Sequence, residues 1–203
     1  MQRYDQRTAL VVVDLQNDFA DPNGSLSVHG GANLVPIING EIAMARAAGA
    51  TVVFTQDWHP ESTPHFAKDG GSWPVHCVAG TWGAELHPDI DPEAAAGAPR
   101  IRKGANGEDG YSGFTVRDPT TGETTPTELE KMLRGAAIER VVACGLATDY
   151  CVKATALDAA GLGFETAVLL DAMRPVELQP GDEQRATAEM TAAGVHPWST
   201  RMR

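Results

Sequence analysis

Ala9-Leu-Val-Val-Val13 carries five apolar residues in a row and stops at Asp14. A strand with one wet face alternates apolar and polar side chains, whereas a strand covered on both faces does not need to. Three more runs read the same way, at 51–54, 141–144 and 166–170, with a shorter candidate at 100–102. Helical punctuation lies between them. Residues 33–48 stop before Gly49, 149–160 before Gly161 and 182–193 before Gly194. Thr125-Pro126-Thr127-Glu128 has the order of an N-cap, a first-turn proline and a capping-box glutamate, and predicts a helix running to about Gly135. This β-α alternation predicts an α/β fold. The expectation is a single doubly wound domain over residues 1–203, with a central parallel β-sheet flanked by helices and right-handed crossovers.

The composition agrees with an ordinary globular chain. Of 203 residues, 42% are hydrophobic and 21% charged, which argues against disordered and fibrous classes. The formal net charge of −11 gives a surface that repels a phosphate backbone, so nucleic acid and anionic membrane are not expected as partners. No apolar run approaches the roughly 20 residues that span a bilayer, and no small-residue cleavage site follows the first apolar stretch, so the expected location is cytoplasmic. Three cysteines, Cys77, Cys144 and Cys151, are too few for a disulfide framework and are read as buried or reactive thiols. A small-molecule partner is expected, and a homo-oligomer is left open.

In open α/β sheets ligands bind beyond the carboxyl ends of the strands, so the residues that follow each apolar run matter most. Asp14 follows the first, Asp57 the second, Lys103 the short candidate, and Gly145-Leu-Ala-Thr-Asp-Tyr-Cys151 the run at 141–144. Cys151 sits where a strand passes into a helix. Unpaired N–H groups and the helix dipole there favour a thiolate and can hold an oxyanion. Cys144, inside an apolar run, reads as a core thiol. An Asp, a Lys and a Cys in one crevice offer a base, a cation and a nucleophile, a workable set for acyl transfer. Taken singly, a strand-end aspartate is an ordinary cap and a lone lysine an ordinary surface group.

Two stretches, 57–100, rich in Pro, Gly, His and Trp, and 104–124, rich in Gly, Asp and Thr, are too long to be simple connections. The first holds Asp57, His59, His65 and His76 in the pattern D-x-H-x5-H-x10-H. One carboxylate and three imidazoles suit a divalent ion such as Zn, Fe or Mn, although the spacing matches no standard zinc signature. The alternative is a loop that merely carries histidines.

Taken together, Val-Val-Asp14-Leu-Gln-Asn-Asp-Phe19, Asp57-x-His59 with His65, Ser72-Trp-Pro-Val-His76-Cys, Lys103-Gly, Tyr111-Ser-Gly-Phe114 and Gly145-Leu-Ala-Thr-Asp-Tyr-Cys151-Val resemble the isochorismatase-like cysteine hydrolases, and within them the nicotinamidases. The resemblance covers about residues 8–175. It implies hydrolysis of nicotinamide to nicotinate and ammonia through a cysteine thioester, a step of NAD salvage. Cys151 would be the nucleophile, Asp14 the proton carrier and Lys103 the supporting cation. The N–H groups of Ala147 and Cys151 would form the oxyanion hole beside a cis Leu146–Ala147 peptide. Asp57, His59, His65 and His76 would hold one divalent metal, Zn before Fe or Mn, that binds the ring nitrogen. Phe19 and Trp73 would sandwich the ring and Tyr111 would touch it. The competing readings are another amidohydrolase of the superfamily, acting on a carbamoyl or other aromatic amide, and a non-catalytic ligand-binding member of the fold.

Overall fold

The structure, a computed structural model, describes residues 3–201. In chain order it contains β1 (Thr8–Val13), a short α1 (Asn17–Ala20), α2 (Leu34–Ala47), β2 (Thr51–Asp57), α3 (Pro92–Gly97), β3 (Arg100–Lys103), β4 (Thr115–Arg117), β5 (Thr124–Pro126), α4 (Leu129–Gly135), β6 (Arg140–Leu146), α5 (Lys153–Gly161), β7 (Glu165–Arg174), α6 (Asp182–Ala192) and β8 (His196–Trp198). Six strands form one parallel sheet in the order β3-β2-β1-β6-β7-β8.

The apolar run of β1 has the burial its composition demands. Leu10 and Val12 face a core closed by Leu34, Ile38 and Ile42 of α2, while Ala9, Val11 and Val13 face a second core closed by Leu133 of α4, Ala156 of α5 and Met190 of α6. All six residues of β1 are buried, and the polar one, Thr8, has its hydroxyl bonded to the Asp5 carboxylate. Cys144 on β6 lies in the first core as a packed thiol. Among the described residues, no helix is long and apolar enough to cross a membrane.

From β1 the chain winds outward through β2 to β3, then returns to β6 on the other side of β1 and winds outward to β7 and β8. The direction reverses between β1 and β6, so their carboxyl ends open a crevice where a doubly wound sheet binds its ligand. Gly145 makes this junction tight. Its φ is +113°, and a Cβ there would fall 2.1 Å from the Val13 carbonyl oxygen.

Three local readings are corrected. Thr125 and Pro126 do not open a helix: 124–126 is β5, paired antiparallel with β4, and α4 begins at Leu129. Pairing with β4 overrides the capping pattern, and the first hydroxyl to serve the helix is that of Thr127, which accepts from the Leu129 N–H at 3.2 Å. The helix after β6 starts as a π-turn over Thr148–Val152 before continuing as α5, and the left-handed residue that ends it is Gly163, not Gly161. Strands β4, β5 and β8 are three residues each, too short to leave a periodic signal.

Candidate active site

Asp14 is the first residue beyond β1 and takes φ +46°, which turns the chain out of the sheet and leaves its carboxylate in the crevice. One oxygen accepts from the Thr55 hydroxyl at 2.6 Å, and the other from Lys103 Nζ at 2.7 Å. Lys103, the last residue of β3, is 1% exposed, and its Nζ also lies 2.8 Å from Asp57 Oδ1 and 3.6 Å from Cys151 Sγ. The structure thus brings Asp14, Lys103 and Cys151 together. Burial acts against the charge on Lys103, but Asp14, Asp57 and Cys151 around it outweigh that and hold its pKa well above the ordinary lysine value. Burial raises the Asp14 carboxyl above the usual range, and Lys103 offsets this only in part, so Asp14 is a better base than a surface aspartate.

Cys151 departs from the thiolate expected at a helix start. It is buried in the π-turn, and burial pushes its thiol well above the ordinary value despite the pull of Lys103. The resting thiol keeps its proton. A base is therefore required, and a carboxylate oxygen of Asp14 lies within 4.8 Å of the sulfur. The Leu146–Ala147 peptide just before the turn is cis.

Asp57 closes β2, and the long segment after it folds back so that His59, His65 and His76 gather beside it. One ring nitrogen from each histidine lies within 4.8 Å of the others, and Asp57 Oδ2 is 3.8 Å from Nε2 of both His59 and His76. His59 is buried with neither ring nitrogen hydrogen-bonded, an arrangement that costs free energy unless a lone pair has a use. His76 donates Nδ1–H to the Pro74 carbonyl at 2.7 Å in the tautomer that frees Nε2, the usual outer support of a metal-bound imidazole. Burial, with His59 and His76 nearby, lowers the pKa of His65 to about 4, so its ring is neutral and able to ligate. Gly104 leaves the space His59 needs: a Cβ there would stand 2.5 Å from His59 Nδ1. The chemistry and the unmet nitrogens fit a divalent cation.

Cys151 and the Asp57 cluster open onto one pocket whose other walls include Phe19, Val28, Leu146 and Val176. The ring of Phe19 lies 5.4 Å from that of His76. At the mouth Trp73 Nε1 donates to the Tyr111 hydroxyl at 3.0 Å, and both rings meet Tyr150 edge-on at 5.0 and 5.2 Å. Phe19, Trp73 and Tyr111 all line this pocket.

Sequence reasoning assigned no role to Tyr150, although it sits one residue before the nucleophile in the motif. It also missed Asp149, whose carboxylate accepts from the Val176 and Glu177 N–H groups, both at 2.9 Å. This pair of bonds ties the turn that carries Cys151 to the loop that carries a pocket wall. Asp18 has a similar part, accepting from the Cys77 N–H at 2.7 Å and the Ser25 N–H at 3.0 Å, which locks the short helix of Phe19 against the loop segment of His76. No spacing rule reveals such links, because their partners are backbone groups far along the chain.

Comparison with known proteins agrees with this geometry. The isochorismatase domain family matches residues 8–202. A nicotinamidase of Escherichia coli (strain K12) is 39% identical over 202 residues, covering 92% of either chain. A pyrazinamidase of Pyrococcus horikoshii in complex with zinc superposes with a TM-score of 0.82 at 42% identity, over 95% of this chain and 99% of that one. PnC1 from L. infantum in complex with nicotinate gives 0.86 at 36%, over 96% and 93%. With its parallel sheet, its Asp-Lys-Cys crevice and a match that runs almost end to end, the chain belongs to the isochorismatase family.

Proposed function

We propose that the protein is a nicotinamidase that hydrolyses nicotinamide to nicotinate and ammonia, a step of NAD salvage. The observation that carries the reading is the shared pocket: Cys151 of the Asp14-Lys103-Cys151 set and Asp57, His65 and His76 of the histidine set line one cavity whose walls also include Phe19 and Trp73. A flat ring carrying both a nitrogen and a carboxamide matches a pocket with a nucleophile and a set of ligating groups in its wall. The relatives named nicotinamidase and the nicotinate complex support the same choice.

Asp57, His59, His65 and His76 would hold a divalent ion, zinc by preference and iron or manganese otherwise, which would supply a Lewis-acidic seat for the ring nitrogen. Phe19 and Trp73 bury the ring faces, and Tyr111 closes the side. Asp14 takes the proton of the Cys151 thiol as the sulfur attacks the carboxamide carbon. The N–H groups of Ala147 and Cys151 face the developing oxyanion. Asp14 gives its proton to the departing nitrogen, which leaves as ammonia, and a thioester remains on Cys151. Water then attacks the thioester carbon and loses a proton to Asp14, which returns it to the sulfur as nicotinate departs. Lys103 stays protonated throughout and compensates the charge that alternates between Asp14 and Cys151.

The test is ammonia release from nicotinamide by the purified protein, before and after chelation, with zinc added back. Activity that falls on chelation and returns with zinc is expected. No ammonia from nicotinamide under any metal condition would overturn the reading.

A further inference from the structure

Gln16 lies two residues beyond the expected base, on the turn that carries the chain away from β1. It is fully buried, and its side-chain amide makes three hydrogen bonds. Nε2 donates to the carbonyl of Asp57 at 2.7 Å and to that of Ala84 at 2.8 Å, and Oε1 accepts from the Asp57 N–H at 2.8 Å. Both polar groups of the Asp57 main chain are therefore held by one side chain.

The sheet explains why this is needed. β1 pairs with β2 only as far as Val12 opposite Phe54, and after the Asp14 N–H reaches the Thr55 carbonyl at 3.2 Å the β1 chain turns off. β2 runs on to Asp57 with β3 on its other side, where the Trp58 N–H bonds the Lys103 carbonyl at 2.8 Å. On the β1 side the main chain of Asp57 has no strand partner. The amide of Gln16 has the donor and acceptor of a peptide group and supplies the missing rung, so the strand stays extended one residue further than its backbone neighbour allows.

We infer that Gln16 is a positioning residue for the metal ligand Asp57, fixing the direction in which that carboxylate leaves the sheet. The inference rests on the proposed metal reading. Asp57 has two tasks at once, with Oδ1 on Lys103 and Oδ2 facing His59 and His76, so a small rotation of its main chain disturbs both. Groups that orient metal ligands from behind typically change metal affinity by about 10–100-fold when removed.

Gln56 provides the comparison. It is equally buried, and its Nε2 donates to the same Ala84 carbonyl at 2.9 Å, but its side chain makes no bond to the Asp57 main chain. A general loss of packing or of a buried amide falls on both glutamines, whereas loss of the rung falls on Gln16 alone. The experiment measures zinc dissociation constants by chelator competition for the wild type, Gln16→Met, Gln16→Glu and Gln56→Met, together with metal-free melting temperatures and saturation kinetics on nicotinamide. The expected result is zinc binding weakened about 10–100-fold in both Gln16 variants, with KM raised more than kcat is lowered, while Gln56→Met binds zinc like the wild type. Should one Gln16 variant fail to fold, the other carries the measurement. Zinc affinity in Gln16→Met within twofold of the wild type, or an equal loss in Gln56→Met, would overturn the positioning role. A wild-type protein that binds no divalent metal at all would instead overturn the metal reading, and this inference with it.

Discussion

Lys103 Nζ lies 2.8 Å from Asp57 Oδ1 and 2.7 Å from Asp14 Oδ2, so one buried ammonium joins the carboxylate beside the nucleophile to the carboxylate among the histidines. Among the described residues, neither carboxylate has another lysine or arginine this close. Lys103→Met keeps most of the volume but strands two buried negative charges, and removing one partner of a buried pair typically costs about 3–5 kcal/mol. A loss of that size in urea unfolding, together with loss of turnover, is expected. Wild-type stability in Lys103→Met would mean that the carboxylates are protonated in the resting protein.

Cys151→Ala should abolish amide hydrolysis while leaving zinc content and melting temperature close to those of the wild type, because the thiol is no part of the histidine set. Cys144→Ala, in the core on the far side of the sheet, should lose stability and keep the chemistry. The reverse outcome in ammonia-release assays would reassign the nucleophile.

The buried, protonated thiol makes Asp14 indispensable as proton acceptor. Asp14→Asn retains the shape of the side chain but cannot take up the proton. Both thioester formation and ammonia release are expected to fall by about 10²–10⁴-fold, with zinc still bound. Rapid-quench detection of the acyl-enzyme at the wild-type rate would show that another group removes the proton.

Gly104→Ala tests the seat of His59. The new methyl group would lie 2.5 Å from Nδ1 on a backbone with φ +78°, so the imidazole must move. Weaker zinc binding and a raised KM are expected, similar in kind to His59→Ala or His76→Ala but smaller. Unchanged zinc affinity in Gly104→Ala, measured by competition with a chelator, would show that His59 is not held where the ion needs it.

Asp171 offers a test at the other end of the sheet. Burial is the largest single influence and raises its pKa, but the Thr200 hydroxyl at 2.5 Å, the Thr200 N–H at 2.8 Å and the Ser199 hydroxyl at 3.2 Å together outweigh it and hold the carboxyl below the ordinary aspartate value. A depressed carboxylate stabilises the fold above its ordinary value, and the benefit fades as the pH falls through the folded value. Amide exchange at Thr200 should therefore accelerate in acid relative to the intrinsic rate, and Asp171→Asn should remove that pH dependence. Identical acid behaviour in the variant would sever the link.

The parallel sheet could be read from composition because β1, β2, β6 and most of β7 have no wet face, so their sequences have no alternation to misread. Asp14, Asp57, His59 and Lys103 stood out as candidates because each lies at or just beyond a strand end, while His65 and His76, in the loop after β2, were joined to them only by spacing and by the family motifs. What escaped was set by tertiary contact. Thr125 and Pro126 satisfy a helix-start pattern yet pair with β4, and no local signal announces a partner nine residues upstream. The acidity expected of Cys151 from its position at a helix start was reversed by burial, which a sequence does not display. Gln16 looked like a spacer in a motif, and only the point at which β1 leaves β2 gives its amide a task.

The bonds from Asp149 to Val176 and Glu177 bear on redesign. They anchor the 175–181 segment at its start, while α6 begins immediately after it, so Val176 in the pocket wall is clipped to the turn of the nucleophile. A change of side chain at Val176 with Asp149 retained is then expected to reshape that wall without touching the reacting groups or the histidine set.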